Sequence, residues 1–185
     1  NKPLFLHSID KAIESRMFKK IILVLDKKIK SIEKNKFTTI MGGNERFYSS
    51  QKALDFIKKK KFKNVFIHDA ARPYFSINLL KRLKKNLKKN KAVIPYMVSD
   101  NSVKYISSNK VINLDRNKVL FTQTPQCFDF KTLYNLSKKN KKFITDEASL
   151  FLNENKKVKF IKGEEKNIKI TKKINIYKNK IKTFY

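Results

Sequence analysis

Short apolar runs bounded by polar turns alternate along this chain with segments whose apolar residues recur every three or four positions. That rhythm restricts the chain to an α/β architecture with a mostly parallel sheet flanked by helices. Phe5, Ile9, Ala12 and Ile13 trace one helical face, and Ile21 to Leu25 then reads as a buried strand ending at Asp26. Phe37 to Met41 is predicted extended and leads through Gly42-Gly43 into a helix carrying Ala53, Leu54 and Ile57. Asn64 to His68 and Ala92 to Val98 are predicted strands, separated by a helix with the stripe Ile77, Leu80, Leu83, Leu87. Val119 to Thr122 and Val158 to Ile161 read as strands, Asp129 to Leu136 and Asp146 to Leu152 as helices. Ile174, Tyr177, Ile181 and Phe184 give the tail a helical period. Val103 to Ile106 and Val111 to Leu114 flank Ser107-Ser108-Asn109-Lys110, which predicts a hairpin projecting as an arm over about 100–118. No repeat or linker divides residues 1–185, so a single domain is expected.

The 41% hydrophobic content of the 185 residues excludes intrinsic disorder. A formal charge of +30 invites a nucleic-acid reading. Of the 45 basic residues, however, five are arginine (Arg16, Arg46, Arg72, Arg82, Arg116) and 40 are lysine, spread over nearly every surface-like stretch. Lys, Ile, Asn and Phe share codons built from A and T, so base composition supplies much of the excess and no nucleic-acid partner is expected. A lone cysteine, Cys127, excludes an internal disulfide and any cysteine-rich zinc site, and reads as a packing residue. The longest strongly apolar run, Ile21 to Leu25, is far short of the ~20 residues that span a bilayer. No membrane partner is expected, and a reducing cytoplasm is the expected compartment.

Chemistry gathers at a few points. Gly42-Gly43 lies between a strand and a helix, where paired glycines allow either a tight turn, with φ > 0 open to them, or close approach of a phosphate to the backbone. His68-Asp69-Ala70-Ala71-Arg72-Pro73 follows a strand, placing a carboxylate where ligands of α/β sheets sit, with Arg72 able to clamp an anion. Asp69 reads equally as a turn cap with Arg72 as its surface partner. Further clusters are Asp115-Arg116-Asn117, Thr124-Pro125-Gln126, Thr145-Asp146-Glu147-Ala148-Ser149 and Asn167-Ile168-Lys169-Ile170-Thr171. Thr145 is placed to cap the helix that opens at Asp146. Where codon bias favours lysine, Arg46, Arg72 and Arg116 inside these clusters hint at bidentate work. His68 has no second His or Cys to share a metal and reads as a packing residue.

In this order the clusters, together with Gly42-Gly43-Asn44-Glu45-Arg46 and Ser49, resemble the 2-C-methyl-D-erythritol 4-phosphate cytidylyltransferases of the non-mevalonate isoprenoid pathway. The resemblance implies a Rossmann-like nucleotidyltransferase fold, usually a homodimer in which the arm of one subunit helps to build its partner's site. It implies transfer of the cytidylyl group from CTP to methylerythritol phosphate with release of pyrophosphate, and Mg²⁺ as cofactor. Gly42, Gly43, Asn44, Arg46 and Ser49 would bind the nucleotide. Asp69 and Ala70 would meet the ribose, the metal or substrate hydroxyls, with Asp69 the metal ligand. Arg72, Thr124, Thr145 and Thr171 would line the substrate pocket, Ser102 and Arg116 would hold the substrate phosphate across a dimer interface, and Lys169 and Arg116 would be catalytic.

Two departures bear on these expectations. The family commonly has Asp where this chain has Asn44, whose amide oxygen still accepts from a cytosine amino group. The family's N-terminal glycine-rich loop precedes the region that matches Asn1, so residues 1–185 alone are expected to turn over poorly and to be an incomplete product, such as the first half of a fusion with the cyclodiphosphate synthase. A ribitol-phosphate or other polyol-phosphate cytidylyltransferase is the alternative enzyme, and a basic nucleic-acid-binding module the alternative outside enzymes.

Overall fold

The computed structural model describes residues 2–25, 36–140 and 144–172. Asp26 and the tail stripe Ile174, Tyr177, Ile181 and Phe184 lie outside them. In chain order the elements are α1 (Leu4–Glu14), β1 (Ile22–Leu25), β2 (Thr38–Met41), α2 (Arg46–Ile57), β3 (Asn64–Ile67), α3 (Ile77–Leu87), β4 (Ala92–Met97), β5 (Val103–Ser107), β6 (Lys110–Leu114), β7 (Phe121–Thr122), β8 (Gln126–Asp129), α4 (Phe130–Lys139), α5 (Ala148–Asn153) and β9 (Lys159–Lys162).

Apolar side chains alternate across β4, and that period of two sets the layers. Ala92 and Ile94 face a core built with Leu54 and Ile57 of α2, Leu133 and Leu136 of α4 and Phe151 of α5. Val93 faces the other way, joining Leu79, Leu80, Leu83 and Leu87 of α3. Strand β8 divides likewise, with Phe128 in the first core and Cys127 in the second. Burial of Cys127 pushes its thiol well above the usual range, as suits a packing residue.

Strands run in the order β3–β8–β4–β7, with β9 also bonded to β4. The expectation of a mostly parallel sheet is not met. Parallel ladders join β1 to β2 and β4 to β9, whereas β3–β8, β8–β4 and β4–β7 are antiparallel. The departure has one origin. Strands β3 and β4 run in the same direction, as the α3 crossover requires, but β8 returns between them in the opposite sense. Gln126-Cys127-Phe128-Asp129 has two apolar residues after a proline, too few to register a period, so no strand was expected there.

The α3 entry is fixed locally. Ser76 Oγ accepts from Leu79 N at 2.9 Å, and Glu164 accepts from Ser76 N at 3.0 Å. Ser76→Ala should lower stability by about 1–2 kcal/mol in urea unfolding, because the cap is lost and Glu164 loses its hydroxyl donor.

Strands β5 and β6 pair with each other in a five-residue register from Val103↔Leu114 to Ser107↔Lys110. Ile106 is 72% exposed and Val111 67%, with Tyr105 and Ile112 also open. The expected hairpin is therefore present, and it carries an apolar surface.

Candidate active site

Three strands deliver the site at their carboxyl ends: β2 runs into Gly42-Gly43, β3 into His68-Asp69, and β9 leads to the segment ending at Lys169. A cleft of about 630 Å³ opens there, lined by Val24, Arg46, Ser49, Asp69, Ala70 and Lys169 among others. The glycines do not supply left-handed backbone, since neither has positive φ. They supply room. A Cβ on Gly43 would lie 2.5 Å from Tyr48 Cβ, and one on Gly42 2.7 Å from Ser49 Oγ. Gly43 N donates to Ser49 Oγ at 3.1 Å, so the first turn of α2 folds directly onto the loop.

Asp69 is the hub. Its Oδ1 accepts from Arg46 Nε at 3.0 Å, and its Oδ2 lies 3.2 Å from Lys169 Nζ and 3.7 Å from Arg72 Nε. Burial would raise the Asp69 carboxyl, but Arg46 and then Lys169 outweigh it and hold the group below its ordinary value. Arg46 also places Nη1 2.8 and 2.9 Å from the two oxygens of Glu147. Burial opposes its charge, yet Glu147 and Asp69 together raise its pKa. Arg72 is governed by burial, which lowers its pKa against the pull of Asp69, and its Nη1 donates to Asn167 O at 2.8 Å.

A second tier fixes Asp69 from behind. Asp69 N donates to Thr124 Oγ1 at 3.0 Å, and that oxygen lies 3.0 Å from His68 Nδ1. His68 Nε2 lies 2.9 Å from Arg72 O, an acceptor, so Nε2 carries the proton and the Thr124 hydroxyl donates to Nδ1. Thr124 is 5% exposed and joined to Pro125 by a cis peptide bond. Its hydroxyl is thus engaged within the protein rather than displayed in the cleft. Asn167, fully buried, donates from Nδ2 to Thr124 O at 2.8 Å, and Ile170 N donates to Ala71 O at 2.8 Å, which pins the Lys169 segment to the β3 loop.

Desolvation drives the His68 pKa down from 6.5 to about 4. The unfolded chain therefore binds the proton first, and stability falls as pH drops from 6.5 towards 4, by roughly 3 kcal/mol if the whole shift is expressed. Thermal melts at pH 7 and 4.5 should show this fall. His68→Gln, which has no group titrating there, should lose that component of it.

The remaining expected residues are scattered. Asn44, Thr145 and Thr171 are exposed, and Ser102 sits at the exposed base of the arm, while Ala70 is exposed on the cleft wall. Arg116 bonds through Nη1 to the carbonyl of Asp100, and no contact among the described residues joins it to the Asp69 cluster. The side chain that binds the entry turn of α5 is not Thr145 but Asp146, which accepts from Ser149 N at 3.1 Å and Ser149 Oγ at 2.8 Å. Glu147 and Asn167 stood within quoted motifs without roles, and the structure shows them as buried anchors. The one available signal was an acid, in a chain with only 15, directly before an apolar helix.

Three cations gathered round a single carboxylate at the strand ends mark the candidate site of an α/β protein. The chain matches, over residues 1–181, the family model described as "IspD: 2-C-methyl-D-erythritol 4-phosphate cytidylyltransferase", and it belongs to that family. It is 47% identical over 174 residues to the bifunctional enzyme IspD/IspF of Pelagibacter ubique, covering 92% of this chain and 47% of that protein. It is 34% identical over 183 residues to the 2-C-methyl-D-erythritol 4-phosphate cytidylyltransferase of Clostridium beijerinckii, covering 91% and 80%. The structure of 4-diphosphocytidyl-2C-methyl-D-erythritol synthase from Anaerococcus prevotii superposes with a TM-score of 0.84 at 29% identity, covering 95% of this chain and 83% of that one. The bifunctional IspDF of Campylobacter jejuni gives 0.84 at 31%, covering 96% and 46%. The chain thus spans about half the length of the bifunctional relatives and four-fifths of the single-function ones. No described helix is long and apolar enough to cross a membrane.

Proposed function

We infer that the chain supplies the cytidylyltransferase site that joins CTP to 2-C-methyl-D-erythritol 4-phosphate, releasing pyrophosphate. The observation that carries this reading is the cluster of Arg46, Arg72 and Lys169 around Asp69 in the cleft of a protein of this family. The acceptor phosphate oxygen bonds to the α-phosphorus of CTP as the bond to the pyrophosphate oxygen breaks. Such a step needs alignment and positive charge more than a general base. Lys169, 45% exposed, presents its ammonium to the reacting phosphates. Gly42, Gly43, Asn44 and Ser49 form the base side, with the exposed Asn44 amide as the group that meets the base. Asp69 and Ala70 face the ribose, and Arg72, Thr145 and Thr171 face the polyol phosphate. Thr124 acts on the site through Asp69 N and His68.

Mg²⁺ fits this site as an ion carried by the nucleotide. No cluster of three or more His, Cys, Asp or Glu that could cage a metal occurs among the described residues, and Mg²⁺ is commonly held by one or two carboxylates plus substrate phosphates. Asp69 would hold it, and when bound it neutralises triphosphate charge. The apolar face of the arm, with Ile106 and Val111 open, suits a second copy of the chain that would bring Ser102 and Arg116 to its partner's site.

Pyrophosphate release, with CTP binding followed by calorimetry, tests the reading. Release that requires both CTP and methylerythritol phosphate supports it. A preference for ribitol phosphate would transfer it to the alternative polyol substrate, and release, slow as is expected of residues 1–185 alone, that is supported equally by other nucleotides or needs no polyol phosphate would overturn it.

A further inference from the structure

Glu147 is 1% exposed and has no part in the reaction described so far. We propose that it is a positioning residue, which holds Arg46 so that this guanidinium takes only one oxygen of Asp69 and leaves the other to Lys169. Only the activity readout below rests on the function proposed above; the contacts themselves do not.

The geometry divides one cation between two carboxylates. Arg46 gives Nη1 to Glu147, at 2.8 and 2.9 Å, and Nε to Asp69 Oδ1, at 3.0 Å. Asp69 Oδ2 is thereby left 3.2 Å from Lys169 Nζ. A guanidinium prefers to grip one carboxylate with two parallel N–H groups. Freed from Glu147, Arg46 would turn Nη towards Asp69, engage both of its oxygens and displace Lys169. A buried ion pair is a costly way to fill space, because an apolar side chain of similar volume often serves stability as well or better. What Glu147 supplies is therefore the orientation of Arg46. Its footing is firm: Ala148, Leu150 and Phe151, which follow it, pack in the same core as Phe47, Leu54 and Ile57 of α2, the helix that Arg46 begins.

The test reads Lys169 directly. The chain is acylated briefly with a limiting amine reagent, and each lysine is scored by peptide mass spectrometry. In Glu147→Gln the Lys169 rate should rise about five-fold, the scale expected when a half-exposed ion pair is lost. Lys104 and Lys118 on and beside the arm should stay unchanged. In an Arg46→Gln background, Glu147→Gln should add nothing. Arg46→Lys, whose ammonium cannot fork both oxygens of one carboxylate, should show no rise, whereas Glu147→Asp, with a shortened hold on Nη1, should give a smaller rise than Glu147→Gln and keeps the test open should Glu147→Gln fail to fold. In active protein, Glu147→Gln should lower kcat more than it raises KM for CTP. A lower Tm with an unchanged Lys169 rate would make Glu147 merely structural and overturn the proposal. So would an equal rise in the Arg46→Gln background. Pyrophosphate release that proves independent of CTP would strike the proposed function but leave the acylation result standing.

Discussion

Replacing Lys169 by alanine should lower turnover on CTP and methylerythritol phosphate by about 10²- to 10³-fold, the scale of losing one preorganised charge at a developing anion. The reason lies in how the three cations are committed. Arg46 is tied to Glu147 and Asp69, and Arg72 to Asn167 O and Asp69. Among the described residues Lys169 pairs with Asp69 alone, is 45% exposed, and can swing from Asp69 to a phosphate while keeping its contact with solvent. Its backbone position does not depend on the side chain, because the Ile170 N to Ala71 O bond remains. Tm should accordingly change little while kcat falls. Steady-state kinetics beside a thermal melt separate the two, and turnover within two-fold of the unsubstituted chain would remove Lys169 from the chemistry.

Asp69→Asn should damage both stability and activity. The side chain keeps its size, and the backbone N–H to Thr124 is retained, but Arg46, Arg72 and Lys169 lose their shared counter-charge. With Glu147 the only other anion, the net charge of these five groups rises from +1 to +2. We expect a loss of about 2–4 kcal/mol, towards the lower part of the range for breaking a buried pair because Lys169 keeps solvent contact. Turnover should fall by more than about 10²-fold as the cations lose their registration. The pH dependence gives a separate signature. Because the Asp69 pKa is depressed in the folded state, its contribution is present above the ordinary carboxylate value of 3.8 and is lost as pH falls through the lower folded value. His68 acts in the window from 6.5 to about 4. Asp69→Asn should therefore flatten the melt profile at the acid extreme, and, because the Asp69 charge raises the His68 pKa, should carry the His68 slope further towards acid.

Long apolar stripes were the legible part of the fold. The α3 boundaries, Ile77 to Leu87, coincide with the expected helix, and the Val103 to Leu114 hairpin follows from its turn residues. Strand β8 was illegible because its burial comes from insertion between β3 and β4, a tertiary event that leaves no local period. Asp69 and Arg72 could be found as strand-end chemistry, and Lys169 through its motif. Whether a given threonine faces substrate or protein could not: Thr124 is turned inward by Asp69 N and His68, partners 55 and 56 residues away. Glu147 was hidden for the same reason, its partner Arg46 lying 101 residues away in sequence.

The β1–β2 pair and the five-stranded sheet share no ladder among the described residues. Ile22 to Val24 line the cleft from the first and Asn64 to Ala71 from the second, so the cleft is a seam between two strand groups that share a core but no ladder. The shared core and side-chain bonds cross that seam, among them Arg46 to Asp69 and Glu147, Gln51 to Ser137 O and Tyr134 to Asp55. A nucleotide reaching from the glycines to Lys169 would act as a suture. Part of its binding energy would go into stiffening the joint, and the second ligand would then meet a surface already set. Substrate order and the hardening of the protein would thus be two readings of one mechanical fact.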